Sequence, residues 1–250
     1  MRTLVFASRN TKEITRDLLT LFFGIAFPLV LMLLLSAINS SIPPQAADAT
    51  KLFQIQSLAP GVSVFGLSFV SLFSAMLIAK DRTTSFILRL YTSPIKAREF
   101  IIGYTVPLLP MSILQTVVCY VTALFLGLEI SANILLAIVV NIPIALVFIA
   151  LGLLFGTVLN EKAVGGICGA LLTNLSAWFS NIWFDTALVG GWFESIANIL
   201  PFSHAVNAAR SAIAGDYSAI MSDLWWVIGY AVVLLAVSVV IFTVKMKRNK

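Results

Sequence analysis

Long apolar runs, separated by short polar segments, make up most of the chain. Six of them reach the length of about 20 mostly apolar residues that a helix needs to cross the hydrocarbon of a bilayer. They span residues 18–38, 58–79, 100–126, 134–159, 163–184 and 224–244. Because apolar residues in these runs are continuous and do not alternate with polar ones, the runs favour helices over the strands of a barrel. The pattern predicts an all-α membrane protein in which six transmembrane helices form one domain over residues 1–250.

Composition agrees with this pattern. Hydrophobic residues make up 60% of the 250 residues and charged residues 11%, and the mean hydropathy is +1.00. An ordinary soluble domain carries charge on roughly 25% of its residues, so that class is excluded. A cleaved signal peptide is the alternative interpretation of the first run. However, that run is longer than the apolar core of a signal peptide, about 7–15 residues, and no clear small-x-small cleavage site directly follows it.

The basic residues indicate how the chain crosses the membrane. If both termini lie on one side, all but two of the 16 Lys and Arg residues lie on that side, the exceptions being Lys51 and Arg210. The positive-inside rule makes that side the cytoplasm. The tryptophans fall in the opposite half, as an interfacial aromatic belt would. They are Trp178, Trp183, Trp192, Trp225 and Trp226.

The N-terminal segment, residues 1–17, has the pattern of an amphipathic helix. Apolar residues recur at helical spacing on one face, and charged residues occupy the other. The apolar set is Met1, Leu4, Ala7, Ile14 and Leu18, and the charged set is Arg2, Arg9, Glu13 and Arg16. Such a helix is expected to lie flat in the cytoplasmic interface. The alternative is a solvated basic leader.

The loop between the second and third runs, residues 80–99, is the longest charged interruption in the chain. It holds five of the 16 basic residues, and it has an apolar ridge at helical spacing formed by Phe86, Ile87, Leu90 and Tyr91. Pro94 would end that helix. An amphipathic helix held just outside the membrane can dock in a groove of a soluble partner. The alternative is a solvated charged loop.

The segment before the last run, residues 185–223, predicts a helical hairpin on the outer side. Apolar residues recur at helical spacing, but Gly190-Gly191 and Pro201 interrupt them before they could span a bilayer. The apolar set is Leu188, Trp192, Phe193, Ile196 and Ile199. A re-entrant or interfacial hairpin packed on protein fits this pattern.

Two seams of small and polar residues run along predicted helices. Ser68, Ser71 and Ser74 recur every third residue in the second run, and a second set recurs every three or four residues in the fifth. The second set is Gly165, Gly169, Thr173, Ser176 and Ser180. Seams of this kind could line a substrate path or let helices approach across a dimer. The alternatives are serines bonded to their own helix and ordinary packing within one subunit.

The residues needed for several kinds of chemistry are missing. No GxxxxGK[ST] loop is present, so the chain is not expected to hydrolyse ATP. The single histidine, His204, has no metal-ligand spacing around it, and Cys119 and Cys168 fall inside apolar runs where packing is their expected role. No charged residue falls deep within a run, which disfavours ion-coupled transport. We therefore expect no catalytic site, no metal and no cofactor in this chain, and an energy source elsewhere.

The 80–99 loop carries a recognisable order of residues. An acid-Arg pair, Asp81-Arg82, precedes Leu90, a small-Pro turn at Ser93-Pro94, and then Glu99 and Gly103. This order resembles the first coupling helix of type-2 ATP-binding-cassette (ABC) exporter permeases, which include daunorubicin-resistance-like drug exporters and cell-surface polysaccharide exporters. Ser85-Phe86 stands where Gly-Thr is usual, and Tyr104 stands where Lys is frequent. A Pro-containing stretch from Leu200 to Arg210 also resembles that family, and the resemblance covers essentially the whole chain.

The resemblance implies a working complex of two six-span permease subunits, as homodimer or heterodimer, with two ATPase subunits that bind ATP and Mg. It implies a bacterial plasma membrane and export of a lipophilic or amphipathic substrate, such as a drug, a peptide antibiotic or a lipid-like molecule. The implied coupling residues are Asp81, Arg82, Phe86, Arg89, Leu90, Pro94 and Glu99. Within them, Arg82 and Glu99 are expected to fix the coupling helix by charge pairing. An ATP-independent channel or membrane scaffold is the alternative, and a membrane-embedded enzyme would need a polar catalytic cluster that the chain lacks.

Overall fold

A computed structural model describes residues 2–42, 51–84 and 96–248, and within these ranges the chain is helical and contains no strand. The first half contains α1 (Arg2–Arg16), α2 (Leu18–Ser40, π-helical at Phe22–Ala26), α3 (Ile55–Thr83), α4 (Ala97–Phe125) and α5 (Asn133–Val158). The second half contains α6 (161–178, π-helical at Gly165–Leu172), α7 (Thr186–Val189), α8 (Gly191–Ile199), α9 (Pro201–Ala214) and α10 (Tyr217–Arg248). The all-α prediction is confirmed for this part of the chain.

Five helices in the described ranges are long and apolar enough to cross a membrane: α2, α3, α4, α5 and α10. The fifth predicted span, 163–184, differs because its helix ends at Trp178. Asn181, a residue type that tolerates left-handed backbone, has φ +60° just beyond that end. Its side-chain oxygen accepts hydrogen bonds from the backbone N–H and hydroxyl of Thr186. The chain therefore turns before the predicted end of this span.

Helix α3 lies at the centre of the bundle. In its most apolar stretch 89% of residues are buried, against 22% in α2 and in α10. Its closest neighbour is α5, where a Cβ on Gly152 would lie 2.2 Å from the Ser71 carbonyl oxygen, and one on Gly156 2.5 Å from that of Ala75. Two glycines one turn apart thus bring the two backbones into contact, as small residues do between membrane helices.

The long helices run alternately between two ends of the bundle. We call the end with α1, the last turn of α3 and the first turn of α4 the α1 end, and the end with α8 and α9 the hairpin end. At the hairpin end, the Asn133 amide donates to the Ile213 carbonyl at 3.1 Å, and Arg210 Nε donates to the Ser57 carbonyl at 3.2 Å. These bonds join α9 to the beginnings of α5 and α3.

The N-terminal helix forms, but only part of its predicted apolar face is buried. Ala7 and Ile14 are buried, whereas Leu4 and Leu18 are 67% and 78% exposed. The helix packs on α4 through Phe6, whose ring contacts Tyr104 edge-on with centroids 4.9 Å apart. Hydrophobic spacing could not identify this face because the contact also includes a buried polar residue, Asn10, which donates to the Gly103 carbonyl.

The predicted hairpin consists of α8 and α9, which meet at Leu200, while α10 already begins at Tyr217. The buried surface belongs mainly to α9, through alanines that allow close packing on α3, α5 and α10. Most of the predicted apolar set is exposed on the surface of the subunit. Leu188, Trp192, Ile196 and Ile199 face outward, and only Phe193 stacks inside, on Phe179.

Candidate coupling site

Asp81 is the centre of a polar cluster at the α1 end. It lies in the last turn of α3 and is 1% exposed, although it is charged. Arg9 of α1 donates from both terminal nitrogens to its two carboxylate oxygens, at 2.7 and 2.6 Å. The hydroxyl of Tyr104, on α4, donates to the same carboxylate at 2.8 Å. One buried carboxylate therefore joins three helices, with the bidentate geometry that is strongest for Arg.

A second layer of charges surrounds this pair. Glu13, one turn after Arg9 on α1, contacts Arg9 Nη2 at 2.8 Å and Lys80 Nζ at 2.9 Å. Burial by itself lowers the pKa of Arg9, but the bond to Asp81 and the carboxylates of Asp81 and Glu13 outweigh it, so that pKa lies above its ordinary value. The cation is therefore retained, and α1 is held to α3 by alternating charges.

Arg82, the next residue on α3, points to another helix. Its Nη1 donates to the carbonyl oxygens of Gly156, Thr157 and Leu159 at 3.1, 2.9 and 2.8 Å. Those carbonyls end α5, where they have no partners within the helix and where the helix dipole favours a cation. Lys245 of α10 adds a bond to the Thr157 carbonyl at 2.6 Å. Neighbouring residues on α3 thus engage α1 and α5 separately.

Glu99 has a local role in the described structure. Its side chain accepts a hydrogen bond from the Lys96 backbone N–H at 2.7 Å, which caps the first turn of α4. Arg82 and Glu99 therefore have different partners here, not each other. Phe86, Arg89, Leu90 and Pro94, the other predicted coupling residues, lie outside the described residues.

Sequence reasoning missed Arg9, Glu13 and Tyr104 as members of this cluster. The charges on α1 were assigned to its solvent face, and Tyr104 was noted only as a departure from the family pattern. A usable signal was present: an Asp near the end of an apolar run needs a donor when buried, and Tyr104 can supply a hydroxyl. The pair could not be read from the sequence because Arg9 and Asp81 are 72 positions apart.

The predicted seams lie mainly at contacts within the subunit. Ser68 donates to the carbonyl of Phe65 on its own helix, Ser74 donates to that of Ile149 on α5, and Ser71 is buried. On α6, Gly165 is exposed with open space beside it, and Gly169 is near Leu72. The remaining members, Thr173, Ser176 and Ser180, are buried and bond to carbonyls of their own segment.

A buried polar cluster that the sequence did not reveal joins α3, α4 and α5. The Gln115 amide donates to the Ser63 carbonyl at 3.2 Å, and the Asn141 amide donates to the Ser63 hydroxyl at 3.1 Å. The amide oxygens of Gln115 and Asn141 are buried and have no hydrogen-bond partner among the described residues. Unsatisfied groups of this kind cost roughly 1–3 kcal/mol each, so the cluster is a weak point in the core.

His204 has a carboxylate partner at the hairpin end. Its Nδ1 lies 2.6 Å from Asp223 Oδ1, its Nε2 lies 2.9 Å from the Asn198 carbonyl, and its ring stacks on Trp226. The hydrogen bond to Asp223 raises the pKa of His204. Over the described ranges, no group of three or more His, Cys, Asp or Glu residues is placed to hold a metal ion.

Comparison with known proteins gives one family match and two distant relatives. Residues 1–214 match the family described as ABC-2 type transporter. The chain is 24% identical over 200 residues to ABC transporter G family member 20 of Dictyostelium discoideum, covering 78% of this chain and 25% of that protein. It is 25% identical over 218 residues to daunorubicin resistance ABC transporter permease protein DrrB1 of Streptomyces coeruleorubidus, covering 82% of this chain and 72% of that protein. The chain thus spans about a quarter of the first relative.

Proposed function

Since this chain belongs to the ABC-2 type transporter family, whose membrane domain lacks the ATPase domain, we propose that it is the permease subunit of an exporter driven by a separate ATPase. The observation that carries this proposal is the polar cluster at the α1 end. Asp81 and Arg82 stand at the start of the 80–99 loop and engage α1 and α5. A force applied to that loop would reach α1, α3, α4 and α5 through these hydrogen-bonded side chains.

In this mechanism, ATP brings the two ATPase subunits together and displaces the loop. Arg9 and Tyr104 make α1 and α4 move with Asp81, and Arg82 makes the end of α5 follow. Phe86, Arg89, Leu90 and Pro94 would form the surface that the ATPase grips, and Glu99 would keep the beginning of α4 ordered. The end of α3 then moves with α1 and α4 because the buried Asp81 carboxylate is bonded to both helices.

We assign six spans, with the α1 end in the cytoplasm of a bacterial plasma membrane. Helix α6 would be about 27 Å long at 1.5 Å per residue, close to the hydrocarbon thickness, and it runs between the same two ends as its neighbours. The α8–α9 hairpin would then be re-entrant from the outside. The charges support this orientation because the α1 end holds most basic residues, while Lys51 and Arg210 belong to the other end.

We assign the substrate to lipophilic or amphipathic molecules: a drug, a peptide antibiotic or a lipid-like compound. The similarity to a daunorubicin resistance permease supports that class. Two copies of this chain, or this chain and a similar permease, would join two ATPase subunits. The exposed part of the α6 seam around Gly165 is available for the contact between permeases, and the serine seam on α3 would face the path if α3 and α5 separate.

The experiment that tests this function is a mild-detergent pull-down of the tagged full chain from native membranes. The wild type is compared with a variant carrying Phe86→Asp, Arg89→Asp and Leu90→Asp. A Lys162→Asp variant serves as control, since Lys162 is exposed in the other turn at the α1 end. We expect an ATP-hydrolysing subunit to accompany the wild type and the control, and to be lost from the triple variant.

A channel or scaffold that works without ATP predicts a different result. No ATPase would be recovered with any of the three proteins, and transport activity in vesicles would not respond to ATP. Equal recovery with the triple variant would instead show that the motor binds elsewhere on the chain.

A further inference from the structure

A groove lies between the first turn of α4 and the last turns of α10, away from the Asp81 cluster. It encloses about 400 Å³ and is open on one side. The two helices that form it are also joined by the rings of Phe100 and Phe242, whose centroids are 5.1 Å apart. Seven residues line it: Lys96, Ala97, Arg98, Val239, Thr243, Met246 and Lys247.

The charges in this groove all have one sign. Lys96, Arg98 and Lys247 are exposed, and none of them pairs with a carboxylate among the described residues. The nearest acid along the chain, Glu99, is engaged by the backbone N–H of Lys96. Within the described ranges, these three cations around one concave surface therefore have no counter-charge, and their mutual repulsion favours an anion bound in the groove.

Two lysines of α10 have separate roles, which shows that the groove is not a general basic surface. Lys245 reaches the opposite side of the helix and donates to the Thr157 carbonyl at 2.6 Å. Lys247, two residues later, lies in the groove wall instead. Lys245 therefore caps the end of α5, whereas Lys247 does not contribute to that cap.

The position of the groove identifies the kind of anion. It lies where two membrane-crossing helices reach the membrane boundary, since α10 ends and α4 begins there. Val239, Thr243 and Met246 follow one another at helical spacing and form a mostly apolar wall that continues along α10 toward the bilayer. An apolar wall below and cations at the rim match the two halves of a membrane phospholipid, and basic pockets between such helices bind anionic head groups.

We propose that this groove binds one anionic phospholipid of the cytoplasmic leaflet. Its phosphate lies among Lys96, Arg98 and Lys247, and its acyl chain lies along Val239 and Met246. The site extends beyond the transport function proposed above and does not depend on the identity of the substrate. A bound lipid would join the beginning of α4 to the end of α10 next to the loop that receives the ATPase.

Native mass spectrometry of the full chain, purified in mild detergent with any subunit that accompanies it, tests the proposal. The added lipids are phosphatidylglycerol and phosphatidylcholine with the same acyl chains, and glycerol phosphate tests whether a head group without chains suffices. We expect the wild type to retain one phosphatidylglycerol, with at least about a tenfold preference over phosphatidylcholine, since each basic residue near the surface strengthens binding severalfold. Glycerol phosphate should not compete at equal concentration.

Three variants make the result specific. Replacement of Lys96, Arg98 and Lys247 by Gln should abolish the preference, whereas Lys96→Arg, Arg98→Lys and Lys247→Arg together should retain it. The control Lys162→Gln removes one exposed cation at the same end of the molecule and should leave the preference unchanged. Size-exclusion elution and the thermal midpoint show whether each variant is folded, and a misfolded Gln variant is replaced by Lys247→Gln alone.

Other outcomes would overturn the proposal. An unchanged lipid preference in the folded Gln variant would exclude this groove as the site. Competition by glycerol phosphate would indicate a free anion instead of a lipid. Loss of the ATPase subunit with the lipid preference intact would make the groove part of the ATPase interface. Because lipid retention is measured without transport, a wrong transport assignment leaves this test unaffected.

Discussion

The two ends of the bundle are held together differently. At the α1 end, Asp81 accepts three hydrogen bonds from α1 and α4, and Arg82 makes three to the end of α5. At the hairpin end, Arg210 makes one bond, to the Ser57 carbonyl, and its buried Nη2 has no hydrogen-bond partner among the described residues. Paired and shielded charges resist separation, whereas an unsatisfied buried donor favours rearrangement. We infer that the α1 end moves as a unit while the hairpin end changes its contacts.

Of the substitutions that test this comparison, the removal of Asp81 should lower the free energy of unfolding the most. Asp81→Ala removes the acceptor of the Tyr104 hydroxyl and of two Arg9 hydrogen bonds, while Arg9 keeps its contact with Glu13. Breaking a buried pair of this kind typically costs about 3 kcal/mol. We expect the free energy of unfolding to fall by about that amount, measured by tryptophan fluorescence during denaturation. The double variant Arg9→Met, Asp81→Leu should recover part of the loss. Equal stability of Asp81→Ala and wild type would contradict the proposed junction.

Arg82 and Glu99 should act independently. Arg82→Ala removes the donor that three carbonyls at the end of α5 share, of which that of Thr157 keeps its bond from Lys245, and should cost about 2 kcal/mol. Glu99→Ala removes a helix cap and should cost about 1 kcal/mol. Because their partners differ, the double variant should lose the sum of the two values to within about 0.5 kcal/mol. A coupling energy well above that limit, in a double-mutant cycle of unfolding measurements, would indicate a direct interaction between Arg82 and Glu99.

Glycine substitutions compare the packing of the two ends. A Cβ on Gly103, at the α1 end, would lie within 2.3 Å of the Phe6 ring, whereas a Cβ on Gly61, at the hairpin end, would lie 3.6 Å from Arg210. We expect Gly103→Ala to destabilise by about 1–2 kcal/mol because α1 must shift. Gly61→Ala should be neutral or stabilise slightly, since alanine favours the helix. Thermal unfolding of both variants in the same detergent measures these changes in stability. Equal losses of stability would contradict a difference in packing between the two ends.

Disruption of the His204–Asp223 pair should lower the free energy of unfolding the least, by an amount that depends on pH. The folded-state pKa of His204 is raised, so the protonated pair stabilises the folded protein fully at pH values below the ordinary pKa of about 6.5. This stabilisation is lost as pH rises through the raised pKa. We expect His204→Gln to cost about 1 kcal/mol at pH 6 and less at pH 9. Unfolding midpoints of wild type and variant across this range measure the difference. A cost that grows with pH would mean that the pair stabilises the neutral ring.

Features that follow from local sequence were predictable. Five of the six predicted spans appear as long apolar helices, because an uninterrupted apolar run has no other way to satisfy its backbone in a bilayer. The α8–α9 hairpin was also predictable, since Gly190-Gly191 and Pro201 interrupt the helical pattern where the chain turns. The end of α6 was not predictable from the sequence, because the turn depends on the hydrogen bond between Asn181 and Thr186. An Asn by itself does not mark a helix end, since Asn also occurs within helices.

Apolar run length, breakers and the distribution of Lys and Arg were thus enough to define a helical membrane protein and its polar loops, because hydrophobic burial and hydrogen bonding within a helix are local and act on neighbouring residues. The partner of each charge was decided by the packing of distant segments. Arg9 meets Asp81, Arg82 meets the end of α5, and Lys245 and Lys247 face opposite sides of one helix. A carboxylate can be satisfied by any donor that packing brings within about 3 Å, and only the folded bundle selects which one.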